Sequence, residues 1–125
     1  MTPDKTAMSV REVAARFNEL AQQEKWFEIQ DELFAENVRS IEPPNANGLP
    51  NVEGKAAVRK KGEALVSQVE EVHRSYTSEP VVGGNFFAVG RELDMTVRGV
   101  GRTQMNEVML YEVEGGRIVS EQFFY

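Results

Sequence analysis

From Ser9 to about Glu24 the chain repeats with the period of a helix. Val10, Val13, Phe17 and Leu20 form one stripe, with Ala14 and Ala21 beside them, while Arg11, Glu12, Glu19, Gln22 and Gln23 take the other face. Ser9 followed by Glu12 is a capping-box pattern, which satisfies free amides at a helix start. Trp26, Ile29 and Leu33 predict a second helix over about Trp26 to Phe34, with Phe27, Gln30 and Phe34 on its edge. Glu36-Asn37 ends it, and Val38 to Glu42 reads as a short strand stopped by Pro43-Pro44. The turn-forming residues of Pro43 to Glu53 predict a long loop. A third helix opens at Gly54 and runs to about Val72, with Val58, Leu65, Val69 and Val72 on one face. Gly62 on that stripe points to close packing on the sheet.

Beyond this the period changes to two. His73 to Val82 predicts one strand, bent near Pro80, and Gly83-Gly84-Asn85 a turn. Asn85 to Arg98 predicts a long strand with Phe87, Val89, Leu93, Met95 and Val97 apolar, and Gly99-Val100-Gly101 turns the chain again. The last two runs, Arg102 to Val113 and Ile118 to Tyr125, flank Glu114-Gly115-Gly116-Arg117, a hairpin signal. Helix, helix, strand, helix and four antiparallel strands make an α+β domain. Residues 9–125 read as that domain and residues 1–8 as a frayed tail. Both faces of the final hairpin carry large residues, so both need a cover. The helices supply one. A second subunit, seated on Val108, Leu110, Phe123 and Tyr125, would supply the other.

Composition narrows the chemistry. The 125 residues suffice for a single core. No apolar run is long enough for a membrane span, and the N-terminal residues lack the apolar centre of a secretory signal, which reads as cytoplasmic. There is no cysteine and one histidine, so neither a disulfide framework nor a structural zinc site is expected. A net charge of −6 argues against nucleic acid.

Three segments carry a resemblance: Leu33-Phe34-Ala35-Glu36-Asn37 leading into Ser40-Ile41-Glu42-Pro43, Gly54-Lys55-Ala56-Ala57-Val58-Arg59, and Tyr111 to Val119. With the order of elements, they resemble the nuclear-transport-factor-two-like superfamily, and within it the SnoaL-like proteins, relatives of polyketide cyclase and ketosteroid isomerase. The resemblance implies a cone: a strongly bent antiparallel sheet closed by three helices from the first half of the chain, with a pocket inside and a dimer through the outer sheet face. It also places Glu42 where ketosteroid isomerase carries its general base. A carboxylate in an apolar cone is harder to ionise, which suits proton abstraction beside a carbonyl.

Glu107 is the second candidate, because period two puts it on one face with Met105, Met109 and Tyr111. Two converging carboxylates would share a proton; a glutamate tied to Arg39, Arg74, Arg91 or Arg102 is the structural alternative. The resemblance implies that Phe17 and Met109 stand where ketosteroid isomerase has its oxyanion donors, and neither side chain can donate. Tyr76 or Glu107 would have to serve instead. His73, the lone histidine, is a third catalytic candidate. A metal site from Glu42, Glu107 and His73 has no supporting ligand spacing, so neither metal nor cofactor is expected. Phe17, Trp26, Phe27, Tyr76, Met109 and Tyr111 are the expected lining of a mainly apolar pocket. Two readings stay open. One is an enzyme of isomerase, cyclase or lyase type acting on a small carbonyl-bearing molecule, with Glu42 as base. The other is a non-catalytic module that binds a small ligand or dimerises.

Overall fold

The computed structural model describes residues 7–46 and 49–125. Three helices, α1 (Val10–Ala21), α2 (Trp26–Leu33) and α3 (Lys55–Gln68), pack on seven strands: β1 (Phe34–Ile41), β2 (Val52–Glu53), β3 (Val69–Thr77), β4 (Val81–Gly83), β5 (Phe86–Val97), β6 (Gly101–Glu114) and β7 (Arg117–Phe124). The strands form one sheet in the order β2-β1-β7-β6-β5-β3, with β4 on β5. All pairs are antiparallel except β1 with β7. No helix among the described residues is long and apolar enough to cross a membrane.

The α1 capping box forms as expected, with reciprocal Ser9 and Glu12 bonds of 3.1 and 3.0 Å. The stripe Val13, Phe17, Leu20 is buried against the sheet. Of the expected tail, residues 1–6 lie outside the described residues. Met8 packs on the core, and its backbone lies so close to Gly116 that a Cβ there would sit 2.8 Å from the Met8 nitrogen.

Other boundaries move for physical reasons. β1 begins at Phe34, directly after α2, and Glu36-Asn37 lies within the strand across an irregular register. α3 stops at Gln68 because Val69 and Val72 join the sheet edge opposite Val97 and Met95, where β-branched residues fit. The single strand expected over His73 to Val82 is two strands, broken at Ser78-Glu79-Pro80. Gly62 packs on α2 rather than the sheet: a Cβ there would meet Phe27 Cε1 at 3.1 Å.

The core is centred on Phe17, whose ring meets those of Tyr111 at 4.7 Å, Phe87 at 5.1 Å and Trp26 at 5.9 Å. Replacing Phe17 with alanine should cost about 3–5 kcal/mol of stability, measured by urea unfolding, because nothing can collapse into the space between α1 and the sheet.

Candidate functional site

Directly paired residues of adjacent strands share a face. The inner face therefore carries Phe87, Val89, Arg91, Leu93 and Met95 on β5 and Tyr111, Met109, Glu107 and Met105 on β6. On β7 it carries Glu121 opposite Tyr111 and Phe123 opposite Met109. Along β6 this row is buried from Tyr111 to Glu107 and only half-buried at Met105. α3, above it, changes in parallel: Val58 is 2% exposed, the Lys61 side chain 8%, and Leu65, one turn on, 44%. Exposure thus rises from a closed aromatic end toward an apolar wedge of residues, Leu65, Val72, Leu93, Met95 and Met105. Glu107 and Lys61 lie where the wedge begins.

Three carboxylates are buried here: Glu42, Glu107 and Glu121. Lys61 Nζ contacts Glu42 Oε2 at 2.6 Å and donates to Ser40 Oγ at 2.9 Å and to the Pro50 carbonyl at 3.1 Å. The Tyr125 hydroxyl donates to Glu42 Oε1 at 2.7 Å. Both Glu42 oxygens are thus engaged. Burial, then the bond to Glu42, raises the Tyr125 phenol above its ordinary range and keeps it a donor. Glu121 lies opposite Ser40 on β1. Burial pushes it up to about 7, against the Ser40 hydroxyl and the Lys61 charge.

Glu107 is also pushed up to about 7, first by burial, against the Arg91 charge and with help from Glu42 and Glu121. Among the described residues no hydrogen bond holds its carboxyl. Arg91, its direct cross-strand neighbour, turns instead to Thr77 Oγ1 at 3.0 Å, Ser75 Oγ at 3.3 Å and Glu24 Oε2 at 3.5 Å.

The structure therefore brings Glu42 and Glu107 to one cluster, with Arg91 facing Glu107 but not bonded to it. His73 stays out: it lies at a bulge of β3, with Nε2 2.7 Å from Thr96 Oγ1 and Nδ1 3.8 Å from Glu71. Among the described residues no group of three or more potential ligand side chains could hold a metal ion. Phe17, Met109 and Tyr111 pack the closed end, and the Tyr111 hydroxyl points to Met109 Sδ at 3.6 Å. Trp26 covers Phe17, and Phe27 lies under Arg59. Tyr76 is on the outer face, opposite Glu92, and is no donor to the site. Phe123 and Tyr125, expected on the outer face, belong to the inner one, since Phe123 pairs with Met109 and Tyr125 bonds Glu42.

Glu121, Lys61 and Tyr125 are the site residues that sequence reasoning missed. For Glu121 and Tyr125 the cause is a bulge. Glu112 pairs with Ser120 but Val113 with Ile118, so Val119 is an extra residue that shifts Glu121, Phe123 and Tyr125 inward. Helical spacing from Val58 to Lys61 was the available signal for the lysine. Two surface hollows, about 150 Å³ against Arg74, Glu92, Leu93, Asp94, Gln104, Met105 and Asn106 and about 210 Å³ against Arg11, Asn18, Glu79 and Val82, are not lined by Glu42, Glu107 or Glu121.

The raised carboxyls make stability depend on pH. Glu107 and Glu121 keep their protons when folded up to about 7, but ionise near the ordinary 4.5 when unfolded. Their contribution is present below about 4.5 and lost as pH rises through about 7. The depressed carboxyls Glu24 and Glu32 act with opposite sign and below that window. Thermal unfolding should show the midpoint falling between about pH 5 and pH 8, and Glu121→Gln should flatten that fall.

A family description, the SnoaL-like domain, matches residues 8–125. No curated protein matches the chain. Among solved structures, one described as a putative SnoaL-like polyketide cyclase [carbohydrate phosphatase] from Mesorhizobium loti is 32% identical, covering 94% of this chain and 100% of its own, with a TM-score of 0.88. A nuclear-transport-factor-two-like protein of unknown function from Burkholderia pseudomallei is 19% identical over 94% of this chain and 92% of its own (TM-score 0.73). A putative isomerase from Bacillus subtilis is 21% identical over 93% and 88% (TM-score 0.70). The last two share the fold alone. With a match over residues 8–125, this chain belongs to the SnoaL-like domain family, and its bent sheet and three helices have the nuclear-transport-factor-two-like fold.

Proposed function

We propose that the protein binds a small, mainly apolar, carbonyl-bearing molecule in the wedge and moves a proton on it, with Glu107 as the proton carrier. The observation that carries this is the Glu107 carboxyl itself. It is buried at the head of an apolar opening, free of hydrogen bonds among the described residues, and pushed up to about 7, where a group both takes and gives protons. Glu42, the base expected from the family resemblance, is held through both oxygens by Lys61 and Tyr125.

The chemistry then reads as follows. Glu107 removes a proton from carbon beside the carbonyl, and the bonding pair moves to the carbonyl oxygen as an enolate. The Tyr125 hydroxyl, with one proton to donate, turns from Glu42 Oε1 to hydrogen-bond that oxygen. The register pairs Val108 with Phe124, so Tyr125 falls next to Glu107 across β6 and β7. This phenol stands in for the donors missing at Phe17 and Met109. Returning the proton to another carbon completes an isomerisation. Attack of the enolate on a second carbonyl gives a cyclisation, and expulsion of a β-hydroxyl gives a dehydration. None of these routes calls for a cofactor.

The outer face supports a further proposal, a homodimer through the sheet. Val108, Phe124, Phe86 and Tyr76 are exposed there and Leu110 is half-buried. Sedimentation at micromolar concentration should give a dimer, and Val108→Glu a monomer. A monomeric parent protein would remove this part of the reading.

The direct test of proton transfer needs no natural substrate. Exchange of α-hydrogens for deuterium in small cyclic ketones is followed by proton NMR. The protein should accelerate exchange, Glu107→Gln should lower the rate roughly 10²–10⁴-fold, and Tyr125→Phe about 10²-fold. If the parent protein binds the ketones but exchange is no faster than in buffer, the ligand-carrier reading replaces the enzyme.

A further inference from the structure

Arg91 and Glu107 face each other directly on adjacent strands, the placement in which opposite charges ordinarily meet. They form no ion pair among the described residues. The Arg91 side chain, only 11% exposed, turns the other way. It reaches Ser75, Thr77 and Glu24, and its guanidinium carbon lies 4.4 Å over the Trp26 ring. Glu24 is the anionic member of this set. Its carboxylate also accepts from Trp26 Nε1 at 2.7 Å and from Ser75 Oγ at 2.5 Å. Burial alone would raise that carboxyl, but these donors and Arg91 hold it below its ordinary range, so it is an anion.

The backbone at Glu24 adds an independent observation. Lys25 N–H bonds the Leu20 carbonyl and Glu24 N–H the Ala21 carbonyl, each at 3.0 Å, closing α1 in the manner of a Schellman motif. The left-handed residue of that motif is usually glycine. Here it is Glu24, with φ 58°, the sole non-glycine residue at positive φ among those described. A strained glutamate stands where glycine would be easier, and its carboxylate is spent on Trp26, Ser75 and Arg91.

We propose that Glu24 is a positioning residue: by drawing the Arg91 guanidinium toward α1 and β3, it keeps Glu107 free of an ion pair at the head of the wedge. The other charged or titratable groups facing Glu107 are Glu42, Glu121, Tyr111 and Tyr125, with Lys61 behind them on Glu42. None of them touches Glu24, so its removal acts through Arg91. The role matters for catalysis only if Glu107 is the proton carrier, but the first readout needs no substrate.

The test is the Glu107 titration, followed by carbon-detected NMR in the full chain. Glu24→Gly suits the backbone, since glycine takes φ 58° without a Cβ clash. Released, Arg91 should swing onto Glu107, and the midpoint should fall by about one unit or more from its starting value. In an Arg91→Leu background nothing remains to be released, and the same substitution should move the midpoint by no more than about 0.3 unit. An unchanged midpoint in the single variant, or equal shifts in both backgrounds, overturns the proposal. In the ketone-exchange assay the acid limb of kcat/KM should move with the NMR midpoint while KM stays constant. If exchange is absent but the titration shifts as described, the enzyme reading fails and the role of Glu24 stands.

Discussion

Among the described residues, carboxylates outnumber the cations free to meet them inside this cone, and the site follows from that imbalance. Glu42, Glu107 and Glu121 are all buried on one side of the sheet. Lys61 is committed to Glu42, and Arg91 is committed to Glu24, Ser75 and Thr77. Removing a carboxylate from water without a paired cation disfavours its charge, so Glu107 and Glu121 hold protons that a surface glutamate would lose. The same deficit that weakens the fold at alkaline pH makes a carboxyl able to exchange protons near neutrality.

The rest of the architecture serves to place that deficit. Phe17, Phe87 and Tyr111 close one end of the cone, where stacked and edge-on rings leave no room for a ligand. The Lys61–Glu42 contact ties α3 to the sheet just where helix and strands begin to separate. Past that tie Leu65 and Val72 are exposed on surfaces that face inward, which gives the wedge an apolar lining and an acidic head. A buried ion pair is a costly way to hold a helix. Here it also fixes the carboxylate that Tyr125 bonds, so structure and chemistry share one contact.

Much of this was legible in the chain. The α1 stripe, its capping box and the alternation of β5 and β6 are local patterns, and local patterns survive in the fold because burial rewards the same spacing that predicts it. The alternation of Met105, Glu107, Met109 and Tyr111 placed Glu107 on the inner face, and the family resemblance pointed to Glu42. The α3 boundary was not legible, because Val69 and Val72 continue a helical stripe and also suit a sheet edge. The sheet claimed them through pairs with Val97 and Met95, residues more than twenty positions away.

By itself, then, the sequence determined the order of the three helices and the long strands, and that a glutamate would lie among methionines and a tyrosine on β6. Tertiary structure alone decided the rest. One extra residue at Val119 turned Glu121, Phe123 and Tyr125 from the outer face to the inner, because a strand's faces exchange with every single-residue slip. Packing of α3 chose Lys61 as the partner of Glu42. The α1 turn at Glu24 decided which way Arg91 points. Each of these depends on distances between segments remote in the chain, which no local spacing encodes.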